Sequence, residues 1–274
     1  EWTRFVLPSA TGHRLTTADG EVLYAFAKAP KDGQVPVDGA VLIGPVPDRS
    51  SECIDLRASK WLVHPAVGGP ETGAARARET WLNGFRYVGE DEVTSGRIGL
   101  RRPQLGALHA IHAHWSTSKD VATVVMPTGT GKTETMLATL VSARCVRVLV
   151  LVPTDALRAQ IALKFFTLGI LKDPRSSLLQ PGVVRPVVGM LTKMPATPEE
   201  VEEFFRQCNV VVTTSALAGR CSPEVQARMA ELCSHLFIDE AHHAEAATWK
   251  RFKSHFKGQS LILQFTATPF REDG

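Results

Sequence analysis

The chain reads as an α/β protein. A parallel sheet flanked by helices fills its later part, after a smaller α+β or β-rich accessory segment. Three observations predict this. From Leu100 to Gly274, short apolar runs rich in Val, Ile and Leu alternate with helical stretches, as in strands covered on both faces. A Gly-rich loop, MPTGTGKT at Met126–Thr133, joins one such run to a helical stretch. Another apolar run, Leu236–Ile238, ends in two adjacent carboxylates, Asp239 and Glu240.

The elements follow in order. Residues 1–98 form the accessory segment and residues 99–274 the α/β part. Candidate strands in the first segment are Arg4–Leu7, Glu21–Ala27 and Ala40–Gly44, set among glycines and prolines such as Pro30, Gly33, Pro36 and Pro45. Helix candidates lie near Cys53–Val63 and Glu71–Leu82. Trp61, Trp81, Phe85 and Tyr87 fit a small core better than a base-stacking surface. The second part offers six strands: Val121–Met126, Val146–Val152, Val187–Leu191, Val210–Thr213, Leu236–Asp239 and Leu261–Thr266. A helical run, Glu134–Ala143, follows the Gly-rich loop. Pro153-Thr154-Asp155 opens a helix carrying Leu157, Ile161 and Phe165 at four-residue spacing, an apolar stripe. Thr197 is placed to cap a helix with Glu200 at its third position, and Ser222-Pro223-Glu224 opens another.

The loop and the acidic pair carry the chemistry. Gly129 and Gly131 permit a tight turn whose N–H groups point at phosphate oxygens. The helix that starts there turns its positive end to the same anion. Thr128, Gly129, Thr130 and Gly131 would line the phosphates, Lys132 would reach the β- and γ-phosphates, and the Thr133 hydroxyl would ligate Mg²⁺. The strict pattern has Gly where this chain has Met126. Asp239 would hold Mg²⁺ and Glu240 would orient or deprotonate the attacking water. Adjacent carboxylates at a strand tip repel unless a cation sits between them. The two motifs together point to a nucleotide triphosphatase that uses Mg²⁺; ATP as its nucleotide is what the resemblance below implies.

These motifs and their order resemble the first RecA-like lobe of a superfamily 2 helicase or translocase, in the DEAH-type branch that includes restriction-enzyme motor subunits. The resemblance covers roughly Leu100–Gly274. LRRPQLGALHAI at Leu100–Ile111 resembles the adenine-recognition segment, which implies that Gln104 reads the adenine edge with Arg102 nearby. MPTGTGKT is similar to motif I, VLVLVPTDALRAQ at Val148–Gln160 to motif Ia and VVVTTSALAG at Val210–Gly219 to motif Ib. FIDEAHH at Phe237–His243 is similar to motif II, and FTATPFREDG at Phe265–Gly274 to motif III. The resemblance implies coupling roles for His242, Thr266 and Thr268. It also implies contacts from Pro153, Thr154, Arg158, Thr213 and Thr214 to a nucleic-acid backbone. The TATPFREDG ending favours DNA over RNA. Helix starts of this type grip phosphates without reading sequence.

Members of that family carry a second RecA-like lobe that supplies arginine fingers. The sequence ends just after FTATPF, so the expectation is a single lobe, nearly inactive as an ATPase alone. Its partners would be that second lobe, the nucleic acid and a possible nuclease or other effector. The opposing reading is a nucleotide-gated interaction module that binds ATP and a partner without translocating.

Composition agrees with a globular protein: 274 residues, 44% hydrophobic and 22% charged. The net charge of +3 is too small to identify a partner. Its distribution says more. Residues 1–100 carry 11 Lys+Arg and 13 Asp+Glu, leaving 20 and 15 for the remainder, so the basic excess belongs to the α/β part. Five scattered cysteines without a Cys-x-x-Cys pair suit reduced thiols and a cytoplasmic setting. His109, His112 and His114 lie on one helical stretch without a cysteine or carboxylate alongside, which fits a solvated or packed face better than a metal site. No apolar run approaches the roughly 20 residues of a membrane span.

Overall fold

The structure, a computed structural model, describes residues 2–7, 9–16, 22–31, 35–36, 39–46, 59–63, 72–94, 96–239 and 247–267. Glu240, His242 and Thr268 lie outside these residues. Two compact units emerge, Glu1–Gly73 and Ala74–Gly274.

The first unit is a mixed five-stranded sheet of β1 (Trp2–Leu7), β2 (Ala10–Thr16), β3 (Val22–Phe26), β4 (Ala40–Ile43) and β5 (Lys60–Val63), in that spatial order. Only β3 and β4 run parallel. Tyr24, Phe26 and Val41 form its buried cluster. Two strands differ from expectation. The run ATGHRLT pairs with β1, although its Gly, His and Arg hide the alternation. Lys60–Val63, expected at the end of a helix, is strand β5. Trp61 and Val63 suit a pleated surface, and Lys60–Val63 shows a two-residue alternation of exposure.

The second unit begins with α1 (Thr72–Thr80, whose first residues straddle the division) and continues with α2 (Arg102–Thr117), β6 (Ala122–Val125), α3 (Lys132–Ser142), β7 (Val148–Val152) and α4 (Asp155–Thr167). It closes with β8 (Val188–Met190), α5 (Pro198–Arg206), β9 (Val210–Thr214), α6 (Ser215–Arg220), α7 (Pro223–Leu232), β10 (His235–Ile238), α8 (Ala247–Phe256) and β11 (Leu261–Thr266). All six expected strands are present. They form one sheet in the order β6-β11-β10-β7-β9-β8, and every neighbouring pair is parallel.

Residues 74–98, expected in the first segment, fall in the second unit. Trp81 is 1% exposed within its core, and the indole Nε1 donates to Val184 O at 3.0 Å. Asn209 Nδ2 donates to Ala74 O at 2.8 Å.

Parallel strands buried on both faces need continuous apolar sequence. β7 meets that need: Val148, Val150 and Val152 pack with Leu140, Ile161 and Phe165 on one side. Leu149 and Leu151 pack with Val201, Phe205 and Met229 on the other. The helix starts follow the expected caps. Thr154, Thr197, Thr214 and Ser222 each accept the N–H three residues on, at 3.3, 3.4, 3.2 and 3.3 Å. Among the described residues no helix is long and apolar enough to cross a membrane.

Candidate functional site

In a parallel sheet every strand ends on the same edge, so the loops that follow the strands gather there. β6, β11 and β10 are neighbours, and their last residues align: Thr266 faces Val125, and Ile238 faces Gln264. The Gly-rich loop leaves β6, Asp239 leaves β10, and Thr266 ends β11 between them. Two backbone bonds hold this edge: Met126 N–H donates to Thr266 O and Asp239 N–H to Leu151 O, both at 2.9 Å. Thr266 is fully buried and Asp239 half-buried.

The loop is built around its two glycines. Gly129 and Gly131 have φ of +84° and +95°, the left-handed region that glycine enters without strain. Thr130 closes the turn, its hydroxyl donating to Pro127 O at 2.6 Å. Gly131 is the N-cap of α3. Lys132 and Thr133 are therefore the first helical residues, where N–H groups lack helix partners and the dipole is positive. Met126 departs from the strict glycine pattern without opening the loop. It is 3% exposed, and its Sδ accepts the Thr135 hydroxyl at 3.8 Å, so it fills the space beneath the first turn of α3. Glu134, next along that turn, pairs with Lys164 of α4 at 2.8 Å.

The segment expected at adenine lies against this loop. Gln104 is 3% exposed and its Oε1 accepts Arg101 N–H at 2.8 Å. Its Nε2 packs so closely on Gly131 that a Cβ there would stand 1.9 Å away. Arg102 turns instead to Asp91, at 2.7 Å, with its side chain 83% exposed. The guanidinium that reaches the loop belongs to Arg101, whose Nη1 donates to Gly129 O at 3.1 Å.

Beyond β7 and β9 the same edge opens into a cleft of about 380 Å³, lined by Pro153, Thr154, Asp155, Arg158, Thr192, Thr214, Ala216, Leu217 and Arg220. Four of the five residues expected on a nucleic-acid path are here together. The fifth, Thr213, is fully buried, and its hydroxyl donates to Leu191 O at 3.0 Å. It braces the sheet edge rather than facing the cleft, because residues alternate between the two faces of a strand. Arg158 Nη1 lies 2.8 Å from Asp155 Oδ1.

The histidines of α2 serve packing. His112 Nε2 pairs with the Ser142 hydroxyl at 2.8 Å, and Tyr87 stacks on His109 with ring centroids 5.3 Å apart. Burial, and secondarily His109, hold the His112 imidazole below its ordinary pKa.

Residues 97–271 match the family model described as "Type III restriction enzyme, res subunit". The match spans well over half of the sequence. The chain belongs to that family. Comparison with curated protein sequences gave no match. Among solved structures, the Sulfolobus solfataricus SWI2/SNF2 ATPase core in complex with dsDNA is 17% identical, with 65% of this chain and 34% of that one covered and a TM-score of 0.46. The UvsW helicase from bacteriophage T4 is 14% identical, with coverage of 70% and 59% and a TM-score of 0.45. A nuclease-deletion mutant of the type ISP restriction-modification enzyme LlaGI, in complex with a DNA substrate mimic, is 19% identical, with coverage of 63% and 18% and a TM-score of 0.41. The chain spans less than two thirds of the length of each.

Three further side chains of this res-subunit family member stand at these sites. Arg101 carries a faint signal, its place just ahead of a helix that approaches the loop. Arg220 ends the short helix after β9. Thr192 has no local signature; only the fold brings it to the cleft.

Proposed function

We propose that the second unit is the ATP-binding lobe of an ATP-dependent helicase or translocase that acts on DNA in preference to RNA. The observation that carries this is the convergence of the Gly-rich loop, Thr266 and Asp239 on one edge of three adjacent strands. Phosphates would lie on the loop at the start of α3, held by its N–H groups and by Lys132. The hydroxyl of Thr133 and the carboxylate of Asp239 form an oxygen donor set suited to Mg²⁺, which would neutralise charge across the β- and γ-phosphates. Glu240, adjoining Asp239 in sequence, would orient the attacking water. Gln104 and Arg101 border the loop on the side assigned to adenine, and Arg101 replaces Arg102 in that assignment.

The strand path runs through the cleft at Thr154, Arg158 and Thr214. Its contacts are to the backbone, so binding is weak, independent of sequence and salt-dependent. The family description, a restriction-enzyme subunit, supports DNA as the polymer. His242, Thr266 and Thr268 would relay between the two sites. A second RecA-like lobe of the same protein would close the nucleotide cleft and supply an arginine finger.

Calorimetry with Mg²⁺–ATP and Mg²⁺–ADP tests the core of this reading. Lys132→Ala removes a charge-assisted bond worth about 1.5–3 kcal/mol, so affinity should fall roughly 10- to 100-fold. Equal affinity in the parent and Lys132→Ala would overturn the nucleotide assignment.

A further inference from the structure

The two guanidinium groups of the cleft are not equivalent. The Arg158 side chain is 12% exposed, with Nη1 2.8 Å from Asp155 Oδ1 and 3.5 Å from Leu191 O. Arg220 is exposed and forms no ion pair among the described residues. The Asp155 side chain is 79% exposed and lines the same cleft as Arg158.

A carboxylate oxygen and a phosphate oxygen make the same kind of charge-assisted bond to a guanidinium. Asp155 therefore occupies Arg158 much as a phosphate would. It also stands in the first turn of α4, where the helix dipole favours an anion. The cleft's volume of about 380 Å³ leaves room for a phosphate group between its walls. An incoming oxyanion meets Arg220 with its charge exposed and Arg158 already engaged.

We propose that this cleft seats one backbone phosphate of a nucleic-acid strand between Arg220 and Arg158, and that Asp155 is an internal competitor which the phosphate displaces from Arg158. The inference rests on the nucleic-acid reading above and adds two roles to it. Arg220 is a phosphate contact, and Asp155 holds the affinity of the strand path down.

Fluorescence anisotropy of a labelled oligo(dT) strand, titrated with the full chain at a series of salt concentrations, tests the proposal. Arg220→Ala should weaken binding by about threefold or more and lower the salt slope by about one. Asp155→Asn should tighten binding by about two- to fivefold, the range of an exposed ion pair. That gain should vanish in an Arg158→Gln background and survive in an Arg158→Lys background, because Asp155 acts through the cation at 158. Thermal unfolding checks that each variant is folded. An unchanged Arg220→Ala, or an Asp155→Asn gain that persists in Arg158→Gln, overturns the proposal while leaving the nucleic-acid reading in place. Absence of salt-dependent binding by the parent chain removes that reading itself, and the proposal with it.

Discussion

Gly129 and Gly131 allow the cost of reshaping the Gly-rich loop to be separated into two parts. Both have positive φ, +84° and +95°, so an alanine at either bears the left-handed strain of an L-residue, about 1–2 kcal/mol. Their surroundings differ. A Cβ at 129 meets nothing within 4 Å, whereas a Cβ at 131 would stand 1.9 Å from Gln104 Nε2 and 3.0 Å from its Cδ. Gln104 cannot swing aside freely, because it is 3% exposed and its Oε1 holds Arg101 N–H at 2.8 Å. Losing such a cap costs about another 0.5–2 kcal/mol. Gly131→Ala should therefore cost about 1.5–4 kcal/mol, against about 1–2 for Gly129→Ala. The second unit, Ala74–Gly274, is of a size at which each kcal/mol moves Tm by about 2–4 °C.

Scanning calorimetry should then show Tm falling by roughly 2–8 °C for Gly129→Ala and roughly 3–16 °C for Gly131→Ala. Gln104→Ala in the Gly131→Ala background relieves the clash but not the strain, so the two changes should couple favourably by about 1 kcal/mol. A Gly131→Ala chain as stable as Gly129→Ala would refute the contact between Gln104 and the loop.

Two further outcomes concern His235 and Arg147. Burial lowers the His235 pKa from 6.5 to about 4. Above pH 6.5 the residue is neutral folded or unfolded; between about 6.5 and 4 only the unfolded chain takes the proton, so stability falls as pH falls through that window. The loss reaches about 3 kcal/mol, and urea titrations at several pH values should show His235→Gln without it. Arg147 donates from Nε to Cys208 O at 3.1 Å and from Nη1 to Leu232 O at 2.7 Å. Arg147→Ala should cost about 2–4 kcal/mol by stranding both carbonyls, and Arg147→Lys should recover only part of that, since an ammonium cannot reproduce the fork.

The legible parts of this protein are those where a single physical demand acts on consecutive residues. VLVLV at Val148–Val152 must be apolar throughout because both faces of β7 are covered, and that requirement is written in the run itself. The same holds for the loop, where positive φ demands glycine at 129 and 131. β2 was illegible because its faces are unequally covered, and Ala10–Thr16 includes an exposed Thr11 and a buried Gly12. Arg147 looks like an interruption of an apolar stretch, yet its guanidinium ties β7 to carbonyls more than sixty residues away in sequence.

Side-chain direction was the harder quantity, and Arg101 and Arg102 show why. The two are chemically identical neighbours, and both stand near the start of the segment expected at adenine. Arg101 is the extended N-cap of α2, with φ −63° and ψ 150°, and Arg102 is its first helical residue. The change of backbone conformation between them sends one guanidinium to Gly129 O and the other to Asp91. Which of the two serves the loop depends on where the helix starts, and that boundary is set by Gln104 accepting the Arg101 N–H. The motif read as a string places Arg102 beside Gln104. The cap sends Arg101 to the Gly-rich loop instead, so the residue that braces the loop is chosen by the same glutamine that lies against Gly131.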